Sequence, residues 1–161
     1  MPQFELPYFG MLDSDAVDNY YEAEASIAGN PVQVDLNFEN ESVSADVLNN
    51  VKQFLLAVEQ HLPKCKEYIL NEYKNGEIVQ EYIQYHKDDM SEGVLCDELG
   101  IKGGDIDQQL VAKLQPVRIG IYPESENYIT FGYSFSNELT PSVLEITANK
   151  NIELQNMYME Y

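Results

Sequence analysis

Residues 19–39, NYYEAEASIAGNPVQVDLNFE, alternate in polarity on both sides of a central break, and no other feature limits the fold as tightly. On the first arm Tyr21, Ala23, Ala25 and Ile27 share one side, and Glu22, Glu24 and Ser26 share the other. On the second arm Val32, Val34, Leu36 and Phe38 oppose Gln33, Asp35, Asn37 and Glu39. Successive side chains of a strand point to opposite faces, so this period of two predicts an antiparallel hairpin turning at Ala28 to Pro31. One face of such a sheet is apolar and needs a cover, while the other meets water and carries carboxylates.

The rest of the chain is suited to supply that cover. FELPYF (residues 4–9) predicts a short strand, placed on a sheet edge because Pro7 has no N–H to give a ladder. Asp13-Ser14-Asp15 is a turn. Ser44 is an N-cap residue with Asp46 in the first turn behind it, so a helix follows to about Gln60. Val47, Leu48, Val51, Phe54, Leu55 and Val58 form its buried stripe. Pro63 suits the first turn of a second helix that ends before Gly76. Further helices are predicted over 77–89, with Ile78, Val79, Tyr82, Ile83 and His86 on one side, over 92–99 closed by Gly100, and over 106–114 behind an Asp105/Gln108 capping box.

From Pro116 the period returns to two, with strands at 117–122, 128–135, 143–148 and 152–159. Their short connections require antiparallel neighbours. Strands, then helices, then strands define an α+β domain. The organisation read from the sequence is a single domain over 1–161: an N-terminal hairpin at 19–39, a helical segment at 45–114 and a C-terminal four-strand meander at 117–159. It amounts to a mostly antiparallel sheet of about six to seven strands with the helical segment packed on one face.

Charge narrows the function classes. The formal net charge is −19, and residues 1–51 hold ten carboxylates but no Lys or Arg. Nucleic-acid binding requires clustered cations against phosphate, and anionic membrane surfaces demand the same, so neither partner is expected. A basic protein partner is compatible with this balance. The opening residues MPQFELPYFGMLDSD have neither a basic n-region nor a long apolar run, so a cytoplasmic location is expected. Two cysteines, Cys65 and Cys96, fit a reducing compartment. Asn40-Glu41-Ser42 matches a glycosylation sequon, which without an export signal carries no weight.

Three blocks, LPYFGMLD (6–13), VDLNFENESVSADVLNNVKQFL (34–55) and VRIGIYPESENYITFGYSF with SNELTPSVLEI (117–146), together resemble a family of small acidic bacterial proteins catalogued as a domain of unknown function. The resemblance spans nearly the whole chain, and none of its blocks is a catalytic signature. It implies a cytoplasmic α+β protein with no established activity, associated with immunity proteins of bacterial toxin systems. It transfers no functional residue to this sequence.

Individual side chains offer little catalytic chemistry. His61 and Cys65 stand four apart, a spacing that places two ligands on one helix face, but Pro63 between them is expected to break that face. No CxxC or HExxH pattern joins them to His86, Asp89 or Cys96, so neither a metal nor a cofactor is implied. Glu81, Tyr82, Tyr85 and His86 could form an acid–base group on one helix, yet the same spacing describes an amphipathic helix with tyrosine and histidine tips at its margin. Gly100-Ile101-Lys102-Gly103-Gly104 lacks the order of a phosphate-binding loop. Arg118, the sole arginine, points to the outer face by alternation and is expected to pair with an acidic neighbour.

The candidate binding residues are Glu22, Glu24 and Asp35, gathered by the hairpin on its outer face. A flat face offers no cleft for glycoside hydrolysis and no cage for a cation. It can steer a basic partner. The leading expectation is a non-enzymatic protein-binding domain, an immunity-type inhibitor of a basic toxin. A small hydrolase using His86 with a carboxylate is the alternative, and a structural or homo-oligomeric scaffold is a third reading.

Overall fold

The computed structural model describes residues 3–160, which begin with two short strands, β1 (Gln3–Leu6) and β2 (Gly10–Asp13). These pair only with each other, so FELPYF does not form an edge of the main sheet. Pro7 instead enters the turn between them, where Tyr8 and Gly10 both take positive φ, 70° and 78°. The small sheet packs against the first helix, with Leu6 and Leu12 buried.

The alternating stretch forms β3 (Tyr20–Ile27) and β4 (Asn30–Asn37), joined through Ala28 and Gly29. Both turn residues have positive φ, 52° and 80°, the condition for a two-residue hairpin loop whose twist matches its strands. After β4 come α1 (Ala45–Leu56), α2 (Val58–Asn75), α3 (Ile78–Met90), α4 (Glu92–Leu99) and α5 (Ile106–Ala112). The Ser44 hydroxyl accepts from the Val47 N–H at 3.2 Å, and Asp105 accepts from the Gln108 N–H at 3.1 Å, so the N-caps read from the sequence are in place. Gly100 closes α4 in the left-handed conformation.

Pro63 does not begin a helix. The break falls at Ala57, whose N–H closes α1 onto Gln53 and Phe54, and Val58 turns inward to 2% exposure. Pro63 then lies within the second turn of α2, where it forfeits one backbone hydrogen bond.

The chain returns as β5 (Gln115–Ile121), β6 (Ile129–Ser134), β7 (Val143–Ala148) and β8 (Leu154–Glu160). The main sheet has the order β3-β4-β5-β6-β7-β8. Every neighbour is antiparallel except β4 with β5, whose register runs from Gln33 opposite Arg118 to Leu36 opposite Ile121. The five helices are therefore the crossover that parallel neighbours require.

One face of the sheet is the core. Val34, Leu36, Ile119, Ile121, Phe131, Leu144 and Ile146 are fully buried on it, opposite Leu48, Val51 and Leu55 of α1 and Val79 and Ile83 of α3. Phe54 reaches Phe131 at 6.2 Å between ring centroids. Burying each such side chain contributes about 1.5–3 kcal/mol. Among the described residues no helix is long and apolar enough to cross a membrane.

Candidate functional site

The face of the sheet turned away from the core holds the candidate residues. Two cross-strand rows define it. One runs Glu24, Gln33, Arg118, Gly132, Glu145, Tyr158, and the next runs Glu22, Asp35, Gly120, Thr130, Thr147, Asn156. Glu22 thus lies directly opposite Asp35, and Glu24 one pair further along on the same face.

Their environments differ. Glu22 and Glu24 are exposed. Asp35 is 1% exposed, which corrects its placement among the solvent-facing acids. The cause is the parallel neighbour: Arg118 Nε donates to Asp35 Oδ1 at 2.8 Å and Arg118 Nη2 to Oδ2 at 3.0 Å. Asn37 Nδ2 donates to the same Oδ2 at 2.7 Å. A planar fork matches a carboxylate in this two-point way, which a lysine could not do. The guanidinium also donates to Tyr122 Oη at 2.8 Å and to Glu145 Oε1 at 3.3 Å.

Small residues allow this arrangement. A Cβ on Gly120 would stand 2.8 Å from Arg118 Nη2, and one on Gly132 would stand 3.2 Å from Arg118 Cβ. The arginine therefore lies flat across a floor of glycine. Burial works against its charge, but the bonds and field of Asp35 outweigh that, and its pKa rises. Glu145 behaves oppositely. Burial raises its pKa, the single contact to Arg118 only partly resists, and Glu160 nearby adds to the rise.

The outer face therefore presents exposed carboxylates at its edges, Glu22 and Glu24 on β3 and Glu160 on β8, while Asp35, buried, and Glu145, half-buried, pair with the guanidinium between them. Tyr20 and Tyr158, 47% and 40% exposed, stand near its two edges. The Tyr20 hydroxyl donates to Glu22 at 2.9 Å. The hollow beside Glu22 and Glu24 measures only about 120 Å³, well below the few hundred that enclose a small substrate. What this surface can do is present negative potential and amphipathic rings to something larger.

The acid–base group proposed on α3 does not assemble for catalysis. His86 is 1% exposed, and both of its ring nitrogens are bonded. The Tyr82 carbonyl can only accept, so Nδ1 carries the proton, and Nε2 accepts a hydrogen bond from the Thr140 hydroxyl at 2.8 Å. Burial pushes the His86 pKa down. The Tyr82 hydroxyl donates to the Ser142 carbonyl at 2.7 Å. His61 and Cys65 do share the continuous helix α2, but Cys65 is fully buried and burial pushes its thiol up to about 12. Both cysteines are free thiols. Among the described residues no group of three or more His, Cys, Asp or Glu is placed to hold a metal ion.

Sequence reasoning paired Arg118 with an acid but did not identify which one. It passed over Glu145 and Tyr122, although outward alternation on their strands was readable. Gly120 and Gly132, both on the outer face beside Arg118, were the signal that a long side chain lies flat there.

No family model, curated protein or solved structure matches the chain significantly.

Proposed function

We propose that this chain is a non-enzymatic binding protein whose helix-free sheet face docks a basic protein, as an immunity-type inhibitor of a basic toxin would. The outer face carries this reading: Glu22 and Glu24 are exposed at one edge and Glu160 at the other, the arginine between them is already paired with buried Asp35, and exposed tyrosines stand near both edges. Tyrosine gives amphipathic contact area at low entropic cost, and a one-sign field accelerates encounter with an opposite partner. Two free buried thiols suit a cytoplasmic setting. The closed surroundings of His86 do not favour a hydrolase, and stacking two copies of this face would set like charges against each other.

The test is capture from an extract of the native host at low and high salt, followed by association kinetics with the identified partner. Glu22→Gln with Glu24→Gln is expected to slow association about tenfold at low salt, with little effect at high salt. An acidic partner, or one that binds the variant at the wild-type rate, would sink the proposal. Asp35 is left out of the variant because its loss would perturb the fold.

A further inference from the structure

A cavity of about 360 Å³ opens where α1, the start of α2 and the loop 149–153 meet the end of the sheet. It lies apart from the acidic face, and its chemistry is different. Four other surface hollows each carry at least one carboxylate, among them Glu124, Glu59, Glu77 and Glu22. This one has no carboxylate among its lining residues, and Lys150 stands on the rim it shares with the hollow of Glu124 and Glu126. Lys150 holds no ion pair among the described residues.

Two polar groups in its walls have unmet hydrogen bonds. Tyr128 is 3% exposed, and its hydroxyl has no partner. His61 Nδ1 is likewise buried without one. Native proteins leave few such groups, because each costs about 1–3 kcal/mol when unmade. The His61 ring stacks on Phe54, 5.6 Å between centroids and 15° from parallel, and gives the site an aromatic wall.

The opposite wall is held in advance. Asn149 Oδ1 accepts from the N–H groups of Asn151 and Glu153 at 3.0 and 2.9 Å. The Ile152 N–H donates to the Asn149 carbonyl at 2.9 Å, and Lys64 Nζ donates to the Ile152 carbonyl at 3.3 Å. These bonds hold Ile152 at φ 58°, a conformation that a β-branched residue adopts only when its surroundings impose it.

We propose that this cavity binds a small organic carboxylate with an apolar body, the carboxylate taken by the Lys150 ammonium and the Tyr128 hydroxyl and the body resting against Phe54. The volume is at the small end of the range for ligand sites. A neutral amide of the same shape would lose the charge-assisted bond, and an amine would meet Lys150 with like charge.

Titration calorimetry with benzoate, benzamide and benzylamine as probes tests this on the full chain. Benzoate is expected to saturate the site and to bind about tenfold or more tighter than either of the others. Lys150→Gln and Tyr128→Phe should each weaken benzoate by about threefold or more. Lys150 is on an exposed turn, so its variant carries the test even where Tyr128→Phe fails to fold. Three results would each overturn the proposal: no saturation below about 20 mM benzoate, benzylamine binding as well as benzoate, or benzoate affinity unchanged in a folded Lys150→Gln protein. None of them bears on docking at the acidic face.

Discussion

Replacing Arg118 with Met removes the head of the outer-face network while keeping most of the stem. Asp35 then keeps Asn37 as a hydrogen-bond donor but loses both bonds from the guanidinium. At 1% exposure it would be a buried charge without a counter-ion. Breaking such a pair by removing one partner costs about 3–5 kcal/mol. Arg118 itself is 28% exposed, so water can enter the space its head leaves, and the lower end, about 3 kcal/mol, is expected. The reverse change, Asp35→Leu, strands a cation that still has Glu145, Tyr122 and solvent, and should cost less, about 1–2 kcal/mol. The double variant replaces both charges with apolar groups and should be more stable than the sum of the single losses requires, by about 1.5–3 kcal/mol. The chain has twelve tyrosines and no tryptophan, so urea unfolding is best followed by far-ultraviolet circular dichroism and tyrosine emission. A loss below about 1 kcal/mol for Arg118→Met, or simple additivity within about 0.5 kcal/mol, would refute the claim that burial makes this pair interdependent.

Three other outcomes follow from the same structure. Phe54→Ala removes a 5%-exposed ring packed on Phe131 and His61 and should cost about 3–5 kcal/mol in chemical denaturation, whereas a loss under about 1 kcal/mol would show that α1 does not cover the sheet. Gly120→Ala should cost about 1–3 kcal/mol by pushing the guanidinium off its floor, and the penalty should largely vanish in the Arg118→Met background; a cost that persists there would point to strain unrelated to the arginine. Burial lowers the His86 pKa below its usual 6.5, so the unfolded chain binds the proton first and stability falls as pH drops through about 6.5 and below, by at most about 1.4 kcal/mol per pH unit from this group. His86→Gln should reduce that slope relative to wild type in paired unfolding series, and parallel pH profiles would remove the histidine from the linkage.

Periodicity carried most of the architecture because each segment's pattern was set by local burial. The alternation at 19–39 identified both strands and the face of each residue, and the stripe at Leu48, Val51, Phe54 and Leu55 identified the helical cover. What failed was non-local or masked by a stronger neighbour. Pro63 suggested a helix start, but the pull of Val58 into the core moved the break back to Ala57. Pro7 marked a turn between two strands, not an edge of the large sheet. The exposed pair Glu22 and Glu24 was legible from alternation alone. The burial of Asp35 was not, because alternation tells which face a side chain occupies, and only the strand alongside tells what lies over it.

That strand arrives late. Asp35 and Arg118 are 83 residues apart along the chain, and closing a loop of that length costs about 4 kcal/mol in chain entropy. The hairpin of β3 and β4 and the meander from β5 to β8 close only short loops, so each can form before the two are joined. The parallel contact between β4 and β5 is then the seam along which two preassembled halves meet, with the ion pair as its clasp. Interactions absent from the rate-limiting step act on the reverse reaction. Should the seam close after the rate-limiting step, weakening it would leave the speed of folding nearly unchanged and shorten the lifetime of the folded chain, and slower folding of Arg118→Met would place the seam inside that step.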